Sequence, residues 1–144
     1  MKISTDLKTL YETDDSLWLE ATIQLLKNKQ FEALDLDNLI EELEDLGNEK
    51  KRRVESLLEQ LIRHLLLLEY WQEEREYNQA HWSSEIVNFQ NQLKRYLTTN
   101  LVNHLQECLP EIYADAVRYC DQKTQGMVNF PNKCPYSLDD LLVK

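Results

Sequence analysis

A chain of 144 residues with 26 acidic and 16 basic side chains carries a formal net charge of −10, which opposes the counterion release behind nucleic-acid binding. Two glycines and three prolines are too few for the turns of a many-stranded sheet, whereas Leu, Glu, Gln, Lys and Asn abound, so helices are expected. The longest continuous apolar run, Leu65 to Leu68, is too short for a bilayer, and Met1 to Asp6 lacks the apolar stretch of a signal peptide; the expectation is a cytoplasmic chain forming a single domain over 1–144.

Ile3, Leu7, Leu10 and Tyr11 have helical spacing, which suits a lead-in arm or a partial helix. Thr13-Asp14-Asp15-Ser16 offers small oxygens to free amides and acids to the positive end of a helix dipole, so a helix is expected from about Asp15 to Asn28, with Leu17, Trp18, Ala21, Leu25 and Leu26 as its stripe. Asp35-Leu36-Asp37-Asn38 is a second capping cluster. From there Leu36, Leu39, Ile40, Leu43 and Leu46 stay in phase with Val54, Leu57, Leu58, Leu61, Leu65 and Leu68, so both segments are expected to press on one core, with a kink or short break at Gly47-Asn48.

A polar stretch from Gln72 to Asn78 follows. Trp82, Ile86, Phe89, Leu93, Tyr96 and Leu97 then predict a helix from about Gln79 to Thr98. Thr99-Asn100 caps the next, with Leu101, Leu105, Cys108 and Leu109 apolar; Pro110 either kinks it or opens a fresh helix, and Ile112, Tyr113, Ala116, Val117 and Cys120 carry the face to about Lys123. Gly126 ends it. Phe130 to Tyr136 reads as an extended tail held by its aromatics, and Ser137-Leu138-Asp139-Asp140 as a capping box for one closing turn. Cys108, Cys120 and Cys134 are odd in number, widely spaced and without a Cys-x-x-Cys pair, which fits free thiols. The predicted fold is all-α: an up-and-down bundle of four main helices, one kinked or broken near Gly47, with a short C-terminal tail helix.

The order of landmarks resembles a bacterial family, the domain of unknown function numbered twenty-nine. The residues that carry the resemblance are Tyr11-Glu12-Thr13-Asp14 with Trp18-Leu19-Glu20, then Leu34-Asp35-Leu36-Asp37-Asn38-Leu39-Ile40-Glu41-Glu42-Leu43-Glu44-Asp45-Leu46-Gly47. His64-Leu65-Leu66, Arg75 with Trp82, Phe130-Pro131 and Cys134-Pro135-Tyr136-Ser137-Leu138 extend it over nearly the whole chain. The resemblance implies a compact helical bundle from a bacterial cytoplasm and no stated activity. Leu68 and Thr98 to Leu101 depart from its pattern.

His64, on the flank of the leucine stripe, suits a base or metal ligand, or a core-edge histidine bonded to a carboxylate or carbonyl of a neighbouring helix; the second is preferred. Glu42 and Glu44 in the run Glu41 to Asp45 are weak metal candidates alongside His64. The Glu-x-x-His pattern of di-iron bundles is missing at His64, His81 and His104, so a solvated acidic face is preferred and no metal or other cofactor is expected. Arg75 and His81, with five residues between them, match the arginine–histidine spacing of helical ribonucleases of the HEPN class, where arginine stabilises phosphate charge and histidine moves a proton. Glu73, Glu74 and Glu76 around them oppose RNA, so an interhelical ion pair is preferred for Arg75. Lys50 to Arg53 reads as a solvated helix face paired locally, as Lys51 with Glu55.

These readings rank a non-enzymatic acidic interaction protein first, with a protein partner or a second copy bound. A ribonuclease or phosphate-handling enzyme using Arg75 and His81, with His64, comes second. An acidic decoy of a nucleic-acid-binding protein, like an antitoxin, comes third.

Overall fold

The computed structural model describes residues 7–142; the expected lead-in residues Met1 to Asp6, Ile3 among them, lie outside these. The elements in order are α1 (Leu7–Thr13), α2 (Asp15–Lys27), a 3-10 turn (Phe31–Ala33), α3 (Leu36–Tyr70), α4 (Gln72–Tyr96), α5 (Thr99–Lys123) and α6 (Leu138–Leu142). No strand occurs among the described residues, so the fold is all-α. The chain resolves into two compact units, residues 1–49 and 50–144, with α3 continuous from one into the other.

In the first unit α2 starts where the capping signal placed it: Asp14 is its N-cap, and Oδ1 accepts from the Leu17 amide at 3.1 Å. The helix ends in a Schellman turn, with the Gln30 amide on the Leu25 carbonyl and the Lys29 amide on Leu26, and Lys29 takes a left-handed φ of 59° where glycine is usual. Leu7 and Trp18 are the buried apolar residues among the described residues of this unit. Trp18 meets Tyr11 edge to face at 4.9 Å, and Asp35 lies under both helices as a buried polar hub. The Asp35 carboxylate accepts from Asn38 Nδ2 at 2.7 Å, Trp18 Nε1 at 3.2 Å and Lys8 Nζ at 3.3 Å.

The expected kink or break at Gly47 resolves as one uninterrupted helix of 35 residues. A single glycine weakens a helix by less than one helical turn contributes, and good helix formers flank it on both sides. A Cβ added at Gly47 would meet nothing within 4 Å. Gly47→Ala should therefore raise stability by about 0.5–1 kcal/mol, read as a higher denaturant midpoint at unchanged slope; a lower midpoint would mean that α3 needs its glycine.

The expectation that the whole stripe presses on one core is corrected. Of its second half, Val54, Leu57, Leu58 and Leu61 are buried and Leu65 and Leu68 are partly buried against the same core, while Ile62 and Leu66, which the stripe did not include, are at 0% exposure. Its first half stands in water: Leu36, Ile40, Leu43 and Leu46 keep 54, 51, 59 and 50% of their surface. The short helices of the first unit have their contacts on another side of α3, at Asn38 through Asp35 and at Glu42 through Tyr11.

In the second unit the core gathers Leu58, Leu61 and Leu66 of α3 with Trp82, Ile86, Phe89 and Leu93 of α4, Leu105, Ile112 and Ala116 of α5, and Leu138 and Leu141 of α6. Helix α4 begins seven residues before the expected Gln79, with Trp71 alone between it and α3. Gln, Glu and Arg are good helix formers and Glu73 and Glu74 suit the first turn, so Gln72 to Asn78 is helical without an apolar face. Thr98, one residue before the expected cap, is the N-cap of α5 and accepts from the Leu101 amide. Pro110 lies inside a single α5. A second Schellman turn ends it at Gln125 (φ 55°), with Gly126 (φ 73°) following.

The tail is held by its aromatics, as expected. Tyr113 donates to the Pro131 carbonyl at 2.6 Å, Tyr136 to Glu69 at 2.8 Å, and Phe130 meets Tyr70 at 6.0 Å. Ser137 and Asp140 form the reciprocal capping box of α6, and Gln90 Nε2 donates to the Leu141 carbonyl.

Candidate functional site

Histidine His64 bonds within its own helix rather than to a neighbour. Its Nδ1 lies 2.7 Å from the Gln60 carbonyl, and because a carbonyl only accepts, Nδ1 is the donor of this bond. The ring lies against Phe89 at 5.3 Å. Its other side opens on a cleft of about 500 Å3 lined by Arg63, Glu74, Asn78, His81 and Lys123 among others. Thus α3, α4 and α5 bring His64 and His81 to one cleft within the second unit.

The arginine of the expected ribonuclease pair does not line this cleft. Arg75 turns back to α3, with Nε donating to the Leu68 carbonyl at 2.8 Å and Nη2 to the Glu69 carbonyl at 2.9 Å. These carbonyls belong to the last turn of α3, where acceptors lack intrahelical donors and the dipole favours a cation. The expected interhelical ion pair is thus an interhelical cap. Arg75→Ala should cost about 1–2 kcal/mol of stability, measured by chemical denaturation, with Arg75→Lys intermediate because an ammonium cannot reproduce the fork; an unchanged midpoint would remove the capping role.

Arginine Arg63 in the cleft is held by Glu59 at 2.5 Å and lies 3.8 Å over the Tyr119 ring, while its buried Nε has no partner. A guanidinium so held is a fixed positive wall rather than a mobile phosphate ligand. Trp71 stacks on Trp82 at 6.1 Å beside it.

The weak metal set Glu42, Glu44 and His64 is not assembled. Glu42 accepts from the Tyr11 hydroxyl at 2.6 Å, which pushes that phenol up to about 12. Glu44 is exposed, and His64 lies about six helical turns further along α3. The donor cluster among the described residues is a different one, Glu55, His104 and Cys108. Glu55 therefore turns to His104 rather than to Lys51 as expected. A His-x-x-x-Cys pair places both side chains on one helix face, and that spacing was the available signal. Within the basic cluster, Arg53 covers the Tyr96 ring at 4.6 Å.

Charge divides unevenly along the chain. Residues 1–49 hold four lysines against thirteen acidic side chains, a net −9 of the total −10, so residues 50–144 are close to neutral. On α3 the exposed leucine row is bordered by Asp37, Glu41 and Glu44, all exposed. No helix among the described residues is long and apolar enough to cross a membrane.

The model of one family, described as "Domain of unknown function DUF29", matches residues 10–144. A solved structure, an α-helical protein of unknown function from Rhodospirillum rubrum, is similar over 92% of this chain and 88% of its own, with 23% identity and a TM-score of 0.63. At that identity it supports the fold alone. No curated protein matches.

Proposed function

Since the chain belongs to the DUF29 family, whose description states no activity, we propose from its own surface that it is a non-enzymatic interaction protein binding a basic amphipathic helix of another protein. One observation carries this reading. Leu36, Ile40, Leu43 and Leu46 form a continuous half-exposed apolar row on the unit that holds nearly all the net charge.

Spacing of i, i+4, i+7 and i+10 is the footprint that another helix would cover with its own apolar stripe. Asp37, Glu41 and Glu44 would meet lysines or arginines flanking that stripe, which sets partner choice and on-rate. A second copy would bring −9 against −9, so like-charge repulsion favours the basic partner.

The test uses the full chain and a synthetic lysine-flanked, leucine-striped helical peptide. Binding should be salt-sensitive, and Leu43→Asp should reduce affinity at least tenfold, with helix content unchanged because Leu43 is exposed. A scrambled peptide of the same composition binding equally well would refute the reading, as would Leu43→Asp binding like the wild type. A salt-stabilised dimer of the chain that Leu43→Asp dissolves would replace the basic partner with a second copy.

A further inference from the structure

The geometry points to a binding site for a zinc-class divalent cation in the second unit, with Glu55 of α3 and His104 and Cys108 of α5 as its ligands. It is independent of the interaction surface, since none of these residues belongs to the first unit.

Three different donor types converge there, and one oxygen, one nitrogen and one sulfur lie within 4.8 Å of one another. His104 and Cys108 are one turn apart on α5, and the sulfur lies 3.6 Å from His104 Nε2. A tetrahedral zinc with bonds of about 2.3 Å to sulfur and 2.0–2.1 Å to nitrogen separates those two ligands by about 3.6 Å. The sulfur also lies 3.8 Å from His104 Nδ1, beside the ring and not along the Nε2 lone pair, so the Cys108 side chain must rotate to complete that edge. The second edge is closed by a hydrogen bond: His104 Nε2 lies 2.5 Å from Glu55 Oε2, where zinc would need about 3.3 Å. Glu55 must withdraw by under about 1 Å, and its side chain, 36% exposed, has room to do so. For Nε2 to take the cation, the imidazole proton shared with Oε2 moves to Nδ1, the tautomer that frees the Nε2 lone pair.

Mixed thiolate, imidazole and carboxylate donors select zinc or cobalt over magnesium and calcium, which prefer oxygen alone. Three protein ligands leave a fourth position for water. The thiol must lose its proton to the solvent as the metal–sulfur bond forms, so binding releases a proton. Burial pushes the Cys108 thiol above its ordinary value, and Glu55 on α3 with Glu111 and Glu107 on α5 add to this, against Lys51 on α3, which opposes it. The same carboxylates that hold the thiol protonated attract a cation, and the cation inverts their effect. Affinity should therefore climb as pH rises from 6 to 8.

The metal-free full chain would be titrated with cobalt(II), then with zinc(II) as competitor. One cobalt per chain should give the visible absorption of a tetrahedral site and a near-ultraviolet thiolate charge-transfer band, both bleached by zinc. Cys108→Ser should remove the charge-transfer band, and Glu55→Gln, at a partly exposed position that circular dichroism can confirm as folded, should weaken binding at least tenfold. Cys134→Ser should change neither. Absence of stoichiometric binding overturns the assignment, and so does a charge-transfer band that survives Cys108→Ser.

Discussion

Asp35→Ala is expected to unfold the first unit and leave the second intact. The Asp35 side chain is 1% exposed and is the common acceptor for Trp18, Asn38 and Lys8. Removing it leaves the buried indole N–H of Trp18 without a partner, and hydrogen bonds to an ionised group contribute about 1.5–3 kcal/mol each, so the loss is at least about 3 kcal/mol. Lys8 is 71% exposed and adds little to that figure. Among the described residues of the unit few other side chains are buried, so no larger described core compensates. Native-state hydrogen exchange should show α1 and α2 amides losing protection while α4 and α5 keep theirs; equal loss in both units would refute the local role of Asp35.

The same carboxylate fixes a pH dependence. Burial alone would raise its pKa, but hydrogen bonds from Asn38, Lys8 and Trp18 outweigh burial and hold it below the ordinary value. A group with a depressed folded pKa contributes stability above its unfolded pKa of about 3.9 and loses it as pH falls toward the folded value. Protection of α1 and α2 should fall below about pH 4 in the wild type, and Asp35→Asn should flatten that dependence.

The second large effect contrasts two leucines of one stripe. Leu61 is at 0% exposure in the core of the second unit, and Leu61→Ala should cost about 3–5 kcal/mol through lost transfer energy and a residual cavity. For a unit of this size that is a fall in Tm on the order of 20 °C. Leu43, five turns earlier on the same side of the same helix, is 59% exposed, and Leu43→Ala should stay within about 0.5 kcal/mol. Calorimetry of the two variants checks both statements. Comparable losses would mean that the first half of the stripe is covered after all.

That contrast marks where sequence reading stopped. Capping by Asp14, Ser137 and Asp140, the position of α2, the end of α5 and the aromatic hold on the tail were legible, because each depends on groups a few residues apart. The start of α4 was not, since apolar periodicity reports packing and Gln72 to Asn78 is a helix without a packed face. Among site residues, His64 and His81 were named together in the enzyme alternative, but only the fold shows that they share a cleft. Arg75 was marked for phosphate and serves the carbonyls of Leu68 and Glu69, seven and six residues back across a chain reversal that spacing alone does not reveal. Glu55, His104 and Cys108 were passed over as a set because their convergence depends on two helices meeting.

By itself, then, the sequence determined the helical class, the caps at Asp14, Ser137 and Asp140 and the amphipathic row from Leu36 to Leu68, since hydrogen bonding and side-chain direction within a helix are local. Only the tertiary structure decided which half of that row is dry. Burial requires a neighbour to exclude water, and whether the chain supplies one at Leu43 as it does at Leu61 is a property of long-range packing, not of the row's period.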